Sequence, residues 1–399
     1  MDTTVGSEAV RRFETTANST AEDAEDAEAT ATATAFTTED TEGTKDRTYK
    51  YLQSSASSAS SAVELLLLAA LVSAPLAAQS PTVHQLPATP ATVAYGYYWS
   101  EAKPALRVKN GDIVDVETML TNTPVGLERM GVKPADVPQD LRDIVAQDTG
   151  SLKGPGGHIL TGPIYVEGAD SGDVLEVRIQ SITLPLAYGY NGCSGFLREL
   201  CEVRGSRLIA LDRQRMTAEV APGIVVPLRP FWGSMGVAPA ASLGRVSSNP
   251  PGPHAGNMDN RELVAGTTLY VPVFTKGALL EIGDGHAAQG DGEVDQTAIE
   301  TDLRGRIQLV VRKDMKLDWP RIETPTHWIV MGTDTSLTVA TQVAIRQMVK
   351  FLMETKGITQ TEAYQAASMA ADLHITQLVD GNVGVHMMIA KSVLAGARK

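Results

Sequence analysis

The sequence predicts a mainly β protein, with a β-sandwich, jelly-roll-like body followed by a smaller α+β segment. Three observations carry that reading. Short apolar runs recur between turn residues along the middle of the chain. Gly (35) and Pro (21) punctuate most intervals, while aromatic residues are only 5% of the chain. Helical patterning is concentrated near the end.

Residues 1–62 read as an acidic, low-complexity tail. AEDAEDAEATATATAFTTEDTEGT and SSASSASSA offer almost nothing to bury against the entropy of ordering the chain. Residues 1–60 hold twelve acidic and five basic residues, so −7 of the net charge of −13 sits there. Residues 63–80, around VELLLLAALVSAPLAAQSP, read as a possible signal peptide. The apolar stretch Leu65–Val72 is too short to span a bilayer, and it ends in small residues at Ala74–Ala78. Glu64 stands where a basic region is expected, and the stretch begins far from Met1. A start codon downstream of Met1 accounts for both; an apolar turn in a tail helix is the other reading. Export to the periplasm or medium is expected from the first, a cytoplasmic protein from the second. Deleting residues 1–80 is expected to leave thermal stability nearly unchanged. A large drop in melting temperature on truncation would mean that the tail packs on the body.

The body is expected over 81–325. Asp112–Thr118, Val174–Ile179, Thr268–Val273 and Ile307–Val311 read as strands. Val174–Ile179 alternates, with Leu175, Val177 and Ile179 opposite Glu176 and Arg178, as a half-buried strand does. Over 326–399 the pattern changes. Ser336–Glu354 carries apolar residues at Val339, Val343, Met348, Phe351 and Leu352, a helix; Thr361–Leu373 reads as a second helix and VGVHMMIA as a last strand.

Composition and motifs exclude several chemistries. The acidic balance, 47 acidic against 34 basic residues, gives no general attraction to phosphate, so nucleic acid is not an expected partner. No P-loop or dinucleotide fingerprint is present. GCSG at 192–195 lacks the spacing of a nucleophile elbow. Two cysteines cannot make a Cys₄ site; Cys193 and Cys201 either pair in an oxidising compartment or remain buried thiols.

Hydrolytic chemistry has more to rest on. Gly283–Ile299, GDGHAAQGDGEVDQTAI, places Asp284 and His286 two apart, and likewise Asp291 and Glu293. In an extended backbone each pair shares a face, and the intervening glycines let the backbone approach an ion or substrate closely. The plainer reading is a solvated Gly/Asp hairpin. His158 follows three glycines at the start of an expected strand, and could equally be a structural histidine. A third cluster, PPGPHAGNMDNREL at 250–263, brings His254, Asn257 and Asp259 onto one loop, which could also be a plain turn.

Together HILTGPIYVEGADSGDVLEVRI, PPGPHAGNMDNREL and ALLEIGDGHAAQGDGEVDQTAIE resemble the acetamidase/formamidase family, as do FWGSMGVAP and DLHITQLVDGNVGVHMMIAK. The resemblance runs from about Tyr98 to Lys391 and leaves residues 1–80 outside it. It implies a β-rich, oligomeric hydrolase that converts short amides such as formamide and acetamide to a carboxylate and ammonia, with bound zinc or calcium. On that basis His158, His286 and Asp259 are the expected first ligands of Zn²⁺. Asp284 and Asp291 would bind a second ion or orient the histidines. Glu293 is the expected general base, Gln289 would hydrogen-bond the amide, and Asn257 would contact substrate. The expected partners are therefore a small amide and further copies of the chain, with no stable membrane span. A different class, a non-catalytic β-sandwich binding module stabilised by calcium, is distinguished by metal content: a catalytic zinc keeps an open position, whereas calcium is enclosed by oxygens.

Overall fold

The computed structural model describes residues 80–147, 153–203 and 205–396. The tail and the apolar stretch expected at 1–62 and 63–80 lie, except for Ser80, outside the described residues. Two sheets form the body. The larger has nine strands in the order Val83–Leu86, Ile113–Thr118, Leu303–Arg312, Val174–Thr183, Thr268–Pro272, Arg321–Glu323, His327–Asp334, Asn382–Ala390 and Ala371–Asp380. The second runs Ala255–Asn257, Phe231–Gly236, Ala278–His286, Ile159–Val166 and Val93–Tyr95, with Leu106–Val108 pairing in parallel to Ile159–Val166.

The main core lies between these sheets. Val114, Val116, Leu175, Val177, Leu303 and Ile307 from the larger sheet pack with Ile164, Trp232, Met235, Leu280 and Ile282 from the smaller. Trp232 is fully buried and gives its indole N–H to Thr118 Oγ1 at 3.1 Å, so its one polar atom is satisfied inside the sandwich. Strand Ala278–His286, buried along its whole length, is hydrogen-bonded on both sides. A fully buried central strand therefore ends in Asp284 and His286 and holds them between two hydrogen-bonded neighbours.

The strands expected at Asp112–Thr118, Thr268–Val273 and Ile307–Val311 are all present. Val174–Thr183 is not half-buried at its start: Glu176 is only 3% exposed. Arg178 and Arg312 bond its two oxygens at 2.5 and 2.8 Å, which offsets the cost of burying the carboxylate. The first late helix spans Leu337–Lys356, capped by Ser336 and ended by Gly357 at φ 66°. Its buried face is Ala340, Ala344, Met348, Phe351 and Leu352, while Val339 stays exposed. The second helix, Gln360–Ala370, opens with a capping box between Thr359 and Glu362. It stops before Leu373, because Ala371 turns extended and Leu373 pairs with Met387 in the nine-stranded sheet. Local helix propensity in the Ala/Met run is overridden there by strand pairing. The helices lie on the C-terminal strands around a second core of Val330, Val385, Met387 and Ile389. Among the described residues no helix is long and apolar enough to cross a membrane.

Candidate active site

The small sheet delivers its polar residues to one cavity of about 200 Å³, lined by His158, Asn257, Asp259, Asp284, His286, Glu293, Glu300 and Asp380 among others. Asp284 and His286 end one strand, His158 precedes another, and Asp259 follows a third. Glu293 and Glu300 come from the long connection after His286, and Asp380 ends the edge strand Ala371–Asp380. Among the described residues no Lys or Arg lines the cavity.

His286 is the hub. Its Nε2 lies 3.3 Å from Asp284 Oδ2 and 3.3 Å from Glu300 Oε1. His158 Nε2 is 3.8 Å from the other Asp284 oxygen, and its Nδ1 meets Ser248 Oγ at 3.0 Å. Asp259, Asp284 and His286 present ligand atoms within 4.8 Å of one another, as do His286, Glu293 and Glu300, and Asp259, Glu293 and Asp380. Asp259 Oδ1 is buried without a hydrogen-bond partner.

Gln289 fixes the tautomer of His286. Its Nε2 donates to the carbonyl of Asp259 at 2.7 Å, so its Oε1, 2.8 Å from His286 Nδ1, must accept. Nδ1 therefore carries a proton whatever the charge of the ring, and Nε2 faces Asp284 and Glu300, which raise the pKa of His286 against the effect of burial. A cation bound here would take the place of the Nε2 proton and use that lone pair. Gln289 is thus committed at both ends and does not project a free amide toward a substrate. Asn257 likewise takes a hydrogen bond from Ser234 at 2.5 Å and gives one to Asp259 Oδ2 at 3.0 Å, orienting that carboxylate.

Asp291 goes elsewhere. It lies 3.2 Å from His374 Nδ1 and 4.0 Å from Arg261, partly exposed, with His374 stacked on His386. Asp291 and Glu293 therefore do not share a face: Glu293 adopts φ 40°, which turns it inward. Asp259 and Asp284 also have positive φ, 49° and 57°. Three site carboxylates held in the left-handed region, which side chains other than glycine rarely adopt, form a strained cluster of the kind retained at functional sites.

The electrostatics follow from crowding. Burial pushes Asp259 well above the usual carboxylate range, and Glu293, Asp380 and Asp284 add to it. Burial likewise raises Glu293 and Glu300, with His286 opposing in both. Asp380 is pushed up to about 6 by burial. Asp284 moves the other way: burial disfavours its charge, but His286 and His158 outweigh that and hold it below the usual range. Five acids crowd into one cavity with two imidazoles, more carboxyl groups than those two rings can neutralise, which is why four of the five are pushed up. A divalent cation fits that donor set of mixed carboxylate and imidazole, and it would give the orphaned Asp259 oxygen a partner.

Sequence reasoning did not find Glu300, Asp380 or Gly233. A Cβ on Gly233 would press on Asp259 Oδ1, Asp284 Oδ2 and, at 2.8 Å, His286 Cε1. Gly233→Ala is accordingly expected to weaken metal binding by roughly 10- to 100-fold, measured as metal retained after dialysis. Gly290→Ala, where a Cβ meets nothing within 4 Å, should retain it. Equal retention in both variants would detach the cluster from metal binding.

Residues 90–249 and 245–394 match the model of the Acetamidase/Formamidase family. The acetamidase of Mycolicibacterium smegmatis is 27% identical over 35% of this chain and 49% of its own length. The formamidase of Methylophilus methylotrophus is 26% identical over 47% of this chain and 56% of its own. The chain thus spans about half the length of the curated relatives it matches. In three dimensions it is similar to an acetamidase from Yersinia enterocolitica, with a TM-score of 0.68 and 28% identity over 80% of this chain and 95% of that one.

Proposed function

Because this chain belongs to the acetamidase/formamidase family, we propose that it hydrolyses the C–N bond of a linear aliphatic amide, giving a carboxylate and ammonia, with a divalent metal in the acidic cavity. The observation that carries the reading is the convergence of buried Asp259, Asp284, His286, Glu293 and Glu300 in one cavity that no Lys or Arg lines among the described residues. Asp259, Asp284 and His286 would hold the ion, with His158 beside Asp284 as a further donor. Zn²⁺ is the ion of choice for this imidazole and carboxylate set, and Ca²⁺ the alternative. When bound, such an ion supplies Lewis-acid polarisation of the carbonyl and eases deprotonation of water.

The remaining steps belong to the chain. Amides resist hydrolysis because the carbonyl is a weak electrophile and the nitrogen a poor leaving group. Glu293, buried with its carboxyl pushed up in pKa, is suited to accept a proton from the attacking water and pass it to the departing nitrogen. Gln289 keeps His286 in one tautomer, and Asn257 keeps Asp259 in place. Ammonia release from formamide and acetamide, assayed beside metal analysis of the same preparation, tests the reading; metal-replete protein inert on every linear amide offered would refute it.

Export also belongs to this proposal. Cys193 and Cys201 are joined as a disulfide, which fits an oxidising compartment. A homo-oligomer is the expected assembly, checked by light scattering on the purified protein.

A further inference from the structure

A second cavity, of about 530 Å³, opens beside the acidic one. That volume is within the range of small-molecule pockets and far exceeds what formamide or acetamide would fill. Its walls include Ile209, Val220, Val226, Pro227, Ala288 and Ile299. Glu293 and Thr297 line both cavities, so a molecule held at Glu293 lies at the border of the apolar one. The walls are tied to the site. Tyr190 and Glu300 exchange backbone hydrogen bonds at 2.9 and 2.8 Å, and Phe196 N–H donates to the carbonyl of Val294 at 2.8 Å, next to Glu293. The disulfide closes that same connection between strands Tyr188–Asn191 and Arg207–Ala210.

The arginines around the cavity are engaged. Arg229 pairs with Glu262 at 3.3 Å, Arg261 with Glu262 at 3.6 Å and Asp291 at 4.0 Å, and Arg207 donates to the carbonyl of Val220. They do not call for an anionic ligand. What the cavity offers is apolar surface adjoining a carboxylate-rich centre.

We infer that this cavity is the acyl subsite of the enzyme and that the preferred substrate is an amide bearing an apolar acyl group of several carbons, larger than that of acetamide. The inference rests on the amidase reading and narrows its substrate class.

The test is a chain-length series of formamide, acetamide, butanamide and hexanamide on the metal-replete protein. Each added methylene buried in the cavity is expected to raise kcat/KM by roughly fourfold. Val226→Trp and Val220→Trp fill the cavity from the hairpin Thr217–Ala221/Ile224–Pro227 without touching the acidic cluster. Both should keep acetamide turnover within a few fold and lose about a hundredfold on hexanamide. A flat or falling series in the unaltered protein overturns the inference, whether or not the variants fold. So does a variant that changes oligomeric state while keeping the chain-length preference, which would make this face a contact between protein chains. If no amide is turned over, the amidase reading fails, and calorimetric binding still decides the subsite. Tighter binding of hexanamide than acetamide, lost in Val226→Trp, supports it; equal binding overturns it.

Discussion

Glu293→Gln is expected to lower kcat for amide hydrolysis by roughly 10²-fold or more, with metal content unchanged and KM little altered. The substitution keeps size and much of the hydrogen bonding but removes the basic oxygen. Glu293 is 7% exposed, shares its immediate surroundings with His286 and Glu300, and is turned inward at φ 40°. A carboxyl so placed, its pKa raised by burial, holds a proton more strongly than a solvated glutamate does, which suits a group that must take a proton and pass it on. His286→Ala should fail differently. It removes the imidazole that Gln289 orients, so metal should be lost and turnover with it. Metal stoichiometry and ammonia release on the same two preparations separate the cases. Loss of metal in Glu293→Gln would make Glu293 a ligand rather than a base. Activity within a few fold in both variants would remove the site assignment altogether.

The parts of this site legible in the sequence are those whose partners lie nearby along the chain. Asp284 and His286 sit two apart at the end of one strand and do converge, at 3.3 Å. The same argument applied to Asp291 and Glu293 assumed an extended backbone, and the positive φ of Glu293 breaks that assumption. His158 and Asp259 come from distant segments, and their motifs pointed to them without fixing what they face. Glu300 and Asp380 lie within the family-like segments ALLEIGDGHAAQGDGEVDQTAIE and DLHITQLVDGNVGVHMMIAK, but no spacing singled them out. They enter through strand order, because the edge strand that ends in Asp380 is the last of nine and its neighbour in sequence is not its only neighbour in space. Gly233 is legible only in three dimensions, as the position where a side chain would collide with three site residues. The fold class, by contrast, followed from alternation and turn residues alone, and its main error, extending the second helix to Leu373, arose where sheet pairing outweighs helix propensity.

Chelation is expected to abolish ammonia release, zinc to restore it, and the metal-free protein to be markedly less stable. An ion that binds only the folded state contributes about 4 kcal/mol when its free concentration is a thousand times Kd. Without it, Asp259, Asp284, Glu293, Glu300 and Asp380 face one another with, among the described residues, only His158 and His286 to answer them. The sign of the remaining strain can be tested at Asp259. Its folded pKa is raised well above that of the unfolded chain, so in the window above the unfolded value the folded protein binds more protons, and stability falls as pH rises. Asp259→Asn imitates the protonated form. In metal-free protein it should therefore raise the melting temperature at pH 7 by several degrees, at roughly 2–4 °C per kcal/mol, and flatten the decline that sets in above the unfolded carboxylate value. In metal-loaded protein the same substitution should lower both stability and metal affinity, because it removes a ligand charge. A metal-free Asp259→Asn protein less stable than the unaltered chain would show that the hydrogen bond from Asn257 already compensates this carboxylate, and that no cation is needed to hold it.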